Sequence, residues 1–408
     1  MKEICTPNKC MGCSACFNIC PKQAITMAPD KYGFLYPKID STKCIDCKIC
    51  QQVCPAINQN IQRYPQECYA VTEKEDENLL SAASGGAATI LSRFILNKGG
   101  VVYGCCGEEV RHIRHIRINS IADIDKLKGS KYVQSDLSNI FKQVKDDLTN
   151  NIKVLFIGTP CQVAGLYSFL RKKEYSNLYT VDLVCHGVPS QKMLNDNIDS
   201  YIQSDKKNLW VSFRNKSKIS PTNNKGVTWK IVYEWRLGNY SSKEKSTQFV
   251  VDALKDPFMT GFLSCLTLRP NCFSCKFACA ARCGDFTLAD FWGLKKDAGL
   301  ENGKGVSLNL INTPKASQLW SEVSLSCYSL KRDILEGICG NGRLQHPGVP
   351  PPTYQTFRKL YPQIGLKKAI DIAYREIKLR NTIKSFSYTM ERAVSYTHLR
   401  AHETLSDL

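Results

Sequence analysis

The chain has 408 residues, 43% of them hydrophobic and 23% charged, and carries a formal net charge of +18, which predicts two or three globular domains. It has no apolar run long enough for a helical membrane span, and its start, Met1-Lys2-Glu3-Ile4-Cys5, lacks the apolar core and cleavage site of a secretory leader, so a cytoplasmic location is expected. The basic balance raises nucleic acid as a partner, but no helix-turn-helix, RNA-binding or zinc-finger signature is present, so nucleic acid is set aside.

Residues 1–56 hold nine of the 21 cysteines. In a large chain without a leader, thiols kept for metal are expected rather than disulfides. Cys10-Met-Gly-Cys13-Ser-Ala-Cys16-Phe-Asn-Ile-Cys20-Pro21 follows C-x-x-C-x-x-C-x-x-x-C-P at every position, and Cys44-Ile-Asp-Cys47-Lys-Ile-Cys50-Gln-Gln-Val-Cys54-Pro55 repeats it. The short gaps wrap three thiolates around one [4Fe-4S] cluster while the fourth reaches the other. The expected ligand sets are Cys10, Cys13, Cys16 and Cys54 for one cluster, and Cys44, Cys47, Cys50 and Cys20 for the other. Zinc knuckles use paired C-x-x-C units rather than such triplets. Each oxidised cluster adds about two negative charges, so the loaded chain is less basic than its formula, and an acidic redox protein such as ferredoxin or flavodoxin is the favoured partner. Cys5 has no partner by spacing. Between the halves, Ala24–Met27 and Phe34–Ile39 predict a hairpin turning at Asp30–Gly33.

Residues 57–67 read as a linker. Beyond it strand and helix signals alternate through 68–150 and 151–345. Leu79–Leu96 has helical spacing broken at Ser84-Gly85-Gly86, and Val101–Gly104 reads as a strand. Asn151–Gly158 is a continuous apolar strand, as in a parallel sheet covered on both faces; Gln162–Lys172 predicts a helix and Leu178–Cys185 a second buried strand. Trp210–Asn215 and Trp229–Arg236 predict antiparallel, half-buried strands. Residues 346–393 read as a basic, amphipathic helical tail packing on the body rather than a membrane anchor. Val394–Thr404 resembles the translation of a sequencing-library adapter, so 394–408 is set aside as an artefact and the native C-terminus is expected to be missing. The expected fold class is α+β: a dicluster ferredoxin-like domain, then an α/β flavin-binding body with additional antiparallel strands.

Several body stretches stand out: Ser81–Thr89 (SAASGGAAT), Lys128–Ser135 (KGSKYVQS), Gly158–Val163 (GTPCQV), Cys185–Ser190 (CHGVPS), and Arg269–Phe277 (RPNCFSCKF) running on to Gly284–Gly293 (GDFTLADFWG). In this order they closely resemble the coenzyme F420 hydrogenase/dehydrogenase beta-subunit family, over roughly residues 68–345. The resemblance implies an iron–sulfur flavoprotein that binds FAD and passes electrons between clusters and a hydride acceptor, coenzyme F420 in some members and unassigned in others. Ser84-Gly85-Gly86 would then offer N–H groups to the flavin pyrophosphate, although a helix start or a close helix contact explains these residues equally. Lys131 would supply a cation and Tyr132 a stackable ring, a surface loop being the plainer reading. Thr159 and Pro160 follow a buried strand, where open α/β sheets bind ligands; without G-x-G-x-x-G, an ordinary Rossmann site is disfavoured.

Cys272, Cys275, Cys279 and Cys283 are spaced so that all four could hold one cluster. The resemblance matches instead Cys161, Cys185, Cys272 and Cys275, implying a third [4Fe-4S] cluster from three segments; free buried thiols are the plainer alternative. Cys105, Cys106, Cys265, Cys327 and Cys339 are read that way. His186 follows a strand end and could deliver a proton to a reduced flavin, or be a structural hydrogen-bonder. His112 and His115 alternate with arginines and are expected at the surface. The expected function is an oxidoreductase relaying electrons between clusters and FAD, with other oxidoreductase subunits as further possible partners. Its rivals are an electron-wiring subunit without flavin and, more remotely, a cluster-bearing nucleic-acid binder.

Overall fold

The computed structural model describes residues 3–202, 209–219, 228–241, 244–295, 299–300, 303–377 and 379. The end of the expected tail and the segment 394–408 lie outside them. Among the described residues no helix is long and apolar enough to cross a membrane.

The N-terminal module consists of α1 (Ala15–Ile19), β1 (Ile25–Pro29), β2 (Leu35–Ile39) and α2 (Ile49–Gln52). The hairpin pairs Ile25 with Ile39. Its turn closes because the Asp30 carboxylate accepts the N–H groups of Tyr32 and Phe34, both at 2.9 Å, while Gly33 takes φ +83°.

The body contains β3 (Glu67–Thr72), α3 (Asp76–Ser81), α4 (Ala87–Asn97), β4 (Val101–Cys106), β5 (Arg114–Ile118), α5 (Ile140–Thr149), β6 (Val154–Gly158), α6 (Pro160–Phe169), β7 (Leu178–Leu183) and α7 (Gln191–Tyr201). There follow β8 (Leu209–Ser212), β9 (Asn215–Ile219), β10 (Thr228–Val232), β11 (Glu234–Ser241), β12 (Glu244–Asp252), α8 (Pro257–Leu263), β13 (Phe286–Asp290), β14 (Ser307–Ile311), α9 (Pro314–Val323), β15 (Tyr328–Arg332), α10 (Ile334–Cys339) and α11 (Tyr354–Ile364). Eight strands form one sheet in the order β15-β3-β14-β13-β7-β6-β4-β5. Its centre, β13-β7-β6-β4, is parallel, and the strands at either side are antiparallel. Residue 150 is no seam in this sheet, since β3 lies between β14 and β15.

The apolar run in β6 is explained by cover on both faces. Val154 and Phe156 pack with α5 and α6, and Leu155 packs with α4 and α9. The strand starts at Val154 rather than Asn151, because Asn151 holds a left-handed turn at φ +58° after α5. The next helix starts at Pro160, two residues before the expected Gln162. Thr159 caps it: its N–H donates to Gln162 Oε1 at 2.9 Å, completing a capping box with proline in the first turn.

Among the described residues β12-β11-β8 and β10-β9 form two small antiparallel sheets. Trp235, Phe213 and Phe258 join α7, α11 and the helix over 366–377 in one core, which also takes in Tyr32 and Phe34 of the module. The segment 57–66 is docked to the body: Arg63 and Arg282 exchange backbone hydrogen bonds of 2.7 Å each, and Gln62 Nε2 donates to Lys276 O and Ala281 O.

Candidate functional site

Both cysteine motifs bend their backbone in the same way. Gly12 and Ser14 flank Cys13 at φ +66° and +59°; Asp46 and Lys48 flank Cys47 at +54° and +58°. Left-handed residues other than glycine are disfavoured, and here they recur at matching positions of the repeat. The turns aim N–H groups inward. Those of Gly12, Ala15 and Phe17 face the sulfurs of Cys10, Cys13 and Cys16, and those of Gln51 and Ala56 face Cys50 and Cys54.

Cys10, Cys13, Cys16 and Cys54 line one cavity. Cys20, Cys44, Cys47 and Cys50 line a second. Each motif thus sends its fourth cysteine to the other cavity. The thiols surround a volume rather than meeting at a point: among the described residues no three His, Cys, Asp or Glu side chains converge as around a single ion. Four thiolates around a space, with N–H groups on the sulfurs, fit a cubane. The first cavity is the inner one, with all four thiols buried; in the second Cys47 is exposed and Ile45 is 60% exposed. Cys5, outside the motif, lines the inner wall with Cys10 and Cys54, a placement that spacing does not reveal.

The inner cavity abuts the body. Gly165 in α6 lies so close that a Cβ there would be 2.9 Å from Cys13 Cβ and 3.1 Å from its sulfur. Gln134 Nε2 donates to Met11 O at 2.8 Å and Asn271 Nδ2 to Lys9 O at 3.0 Å. Arg269, 1% exposed, donates Nε to Cys10 O at 2.8 Å, Nη1 to Gln134 Oε1 at 3.0 Å and Nη2 to Leu35 O at 3.0 Å.

At the carboxyl edge of the parallel strands a further group of thiols gathers. Cys161 lies in the first turn of α6 after β6, Cys185 follows β7, and Cys272 and Cys275 belong to the turn that begins at Pro270. Burial pushes each of these thiols up. Negative charge on neighbouring thiols adds to it: Cys272, Cys161 and Cys275 act on Cys185, and Cys161 and Cys275 act on Cys272. Cys279 and Cys283 lie alongside with partners of their own. Cys279 Sγ reaches Ala281 O at 3.3 Å, and Cys283 Sγ donates to Pro160 O at 3.2 Å.

A buried ion pair fixes this loop. Arg282 Nη2 meets Asp182 Oδ1 at 2.7 Å, and Asp182 Oδ2 accepts the N–H groups of Cys283 and Gly284 at 3.0 and 2.8 Å. Arg282 Nη1 donates to Phe277 O at 2.8 Å. Neither residue is among the site candidates read from the sequence. The signal for them is an aspartate in the otherwise apolar run of β7, where a fully buried carboxylate demands a partner.

The residues assigned to flavin spread along the same end of the sheet. Ser84 Oγ donates to Val306 O at 3.0 Å. A Cβ on Gly85 would be 2.1 Å from Val71 O and 2.5 Å from Ser307 N, so protein backbone fills that space. Gly86, at φ +90°, precedes α4. Lys131 is half-buried and donates to Leu127 O and Lys128 O, both at 2.8 Å, and Tyr132 stacks on Phe262 with centroids 4.5 Å apart. Thr159 and Pro160 form the α6 cap described above. Lys216 Nζ reaches Ser84 O at 2.7 Å, and burial, with Arg214 beside it, pulls its ammonium down to about 7. Arg214 Nε and Asn215 Nδ2 are buried donors without protein acceptors. His186 Nε2 lies 3.1 Å from Phe262 O and 3.4 Å from Cys265 Sγ; burial and then Arg343 lower its pKa.

One surface expectation fails. His115 is 4% exposed, its Nε2 2.9 Å from Ile157 O and its Nδ1 2.9 Å from Ser135 Oγ. His115 shares a face of β5 with Arg117, two residues on, and that face is covered by α5, where Arg117 pairs with Asp147 at 2.8 Å. His112 is exposed, beside Asp136.

Comparison with known proteins agrees with this division. The family model for the C terminus of the coenzyme F420 hydrogenase/dehydrogenase beta subunit matches residues 152–332, and the "4Fe-4S dicluster domain" model matches residues 9–57. No curated protein matches. Among solved structures, a chain from the xenon-derivatized F420-reducing [NiFe] hydrogenase complex of Methanosarcina barkeri is similar at 17% identity, over 79% of this chain and 94% of that chain, with a TM-score of 0.42.

Proposed function

Since this chain joins a 4Fe-4S dicluster domain to a domain of the coenzyme F420 hydrogenase/dehydrogenase beta-subunit family, we propose that it is an iron–sulfur flavoprotein subunit relaying electrons from the outer cluster site, through the inner one, to a third cluster and an FAD at the sheet edge. One observation carries the reading: Cys161, Cys185, Cys272 and Cys275, from three segments, lie within electrostatic reach of one another, and Cys161 lies in the first turn of the helix whose Gly165 abuts Cys13. The exposed Cys47 side is where a redox partner, an acidic carrier or another subunit, would exchange electrons. Lys216, beside Ser84, and the unpartnered Arg214 Nε and Asn215 Nδ2 just before it in the chain are the donors offered to a dinucleotide's phosphates. Bound there, FAD would supply the exchange between electron pairs and single electrons needed for a hydride acceptor of the F420 or another type. Lys131 holds the loop at Leu127, Tyr132 closes against Phe262, and His186 would hold or pass a proton at Nε2.

Anaerobically purified and reconstituted chain is expected to hold about twelve irons and about one FAD. A second reading, an electron-wiring subunit without flavin, is favoured by the backbone that fills the space beside Gly85. About eight irons and no flavin would decide for it.

A further inference from the structure

Arg269 is a buried cation whose hydrogen bonds to the surrounding fold go to neutral groups: the Cys10 and Leu35 carbonyls and the Gln134 amide oxygen. Its guanidinium lies over the Tyr36 ring at 4.3 Å and faces Phe34 at 5.5 Å. Among the described residues no carboxylate forms an ion pair with it. A charge so buried costs several kcal/mol unless an opposite charge answers it. The inner thiol set can supply that charge, since Nε holds the Cys10 carbonyl and the guanidinium stands against Gly12 of the same cysteine loop. Its charge extends to the body thiols Cys161 and Cys272, and its carbonyl accepts the N–H of Cys272 at 2.9 Å.

The outer cavity differs. The cations on its wall, Lys22 and Lys48, are exposed to water, where a charge acts weakly. A cluster gains one negative charge when reduced, and net charge and hydrogen bonds to its sulfurs set its potential. A buried guanidinium on one cluster and only solvated amines on the other favour reduction of the inner one, against the burial that disfavours its added charge.

We propose that Arg269 raises the reduction potential of the inner cluster above that of the outer one, so that electrons delivered at the exposed face collect beside the body. The step is a one-electron transfer from an external one-electron reductant, oxidised as the inner cluster is reduced, with no bond made or broken. Arg269 is a positioning residue in this scheme, acting through charge. The proposal rests on the dicluster reading of the module and needs neither the third cluster nor the flavin.

The test is a redox titration of the full-length chain, followed by electron paramagnetic resonance, with iron and sulfide counted on each sample. The inner-cluster signal is identified as the one lost in Cys16→Ser. In Arg269→Gln with unchanged iron, the reduced-to-oxidised ratio of the inner cluster at its wild-type midpoint is expected to fall about tenfold, about 59 mV for one electron. The outer signal is expected to stay in place, and Arg269→Lys to restore most of the shift. Gln134→Glu, which sets a carboxylate against Nη1 at the cost of the hydrogen bond to Met11 O, is expected to move the inner signal in the same direction where the iron count is unchanged. Should Arg269→Gln fail to fold, Gln134→Glu decides alone. Unmoved potentials in an iron-replete variant, or equal shifts of both signals, overturn the proposal. A wild-type chain without iron removes the dicluster reading itself, and the proposal with it.

Discussion

In the ferredoxin module eight cysteines come from two runs, Cys10–Cys20 and Cys44–Cys54, and the backbone between them shapes each cavity. At the sheet edge four cysteines arrive from segments spread over 161–275, and strands, a capped helix and a buried ion pair shape the site. The first arrangement is local and tolerates left-handed strain because its own sequence repeats it. The second exists only once the sheet has formed. The difference should show in how each region fails.

The largest effect is expected within the module. Because Cys20 and Cys54 cross between the cavities, Cys16→Ser should remove about four irons and make the outer cluster labile as well, seen as iron and signal lost faster on exposure to air than in wild type. An outer signal as durable as before would break the idea that the halves depend on each other.

At the sheet edge, loss should be confined. Cys185→Ser is expected to cost about four irons while both module signals survive, and Cys279→Ser to leave the count unchanged. Iron analysis of the two variants checks this, and the reverse pattern would make the contiguous cysteines the ligands.

Asp182→Ala leaves Arg282 buried without its counter-charge, which by analogy with other buried pairs costs about 3–5 kcal/mol. Urea unfolding followed by body tryptophan fluorescence should shift accordingly, with the module's iron retained until later. Simultaneous loss would show that the two regions unfold as one.

The smallest effect concerns His115. Burial holds its imidazole down to about 4, against an ordinary value of 6.5. Below pH 6.5 the unfolded chain takes up a proton that the folded chain refuses, so stability falls from about pH 6.5 to about 4. The stability advantage of wild type over His115→Gln in thermal melts should therefore shrink across that window. A constant gap would place the acid-sensitive group elsewhere.

What was legible follows the same contrast. The grouping of the module's cysteines around two cavities, its hairpin and its turn could be read because spacing, glycine and aspartate act within a few residues. The parallel strands were legible because burial on both faces leaves a purely apolar run. The inward side of His115, the place of Cys5 at the inner wall, and the roles of Arg269, Asp182 and Arg282 were not, since each is fixed by a residue distant in sequence. Only the aspartate inside β7 left a local trace. The dispersed cysteine set came from family resemblance, and no spacing would have selected it over Cys279 and Cys283.

Gly165 sits inside α6, where glycine is about 1 kcal/mol poorer than alanine, at the point where a methyl would meet Cys13. That missing methyl works as a notch in an insulator. Filling it would remove no ligand and change no charge, yet would push the helix and the cysteine loop apart. Electron tunnelling weakens steeply with each added ångström, so under the proposed relay the bulk of one side chain at this position would set the conductance between the two halves of the molecule.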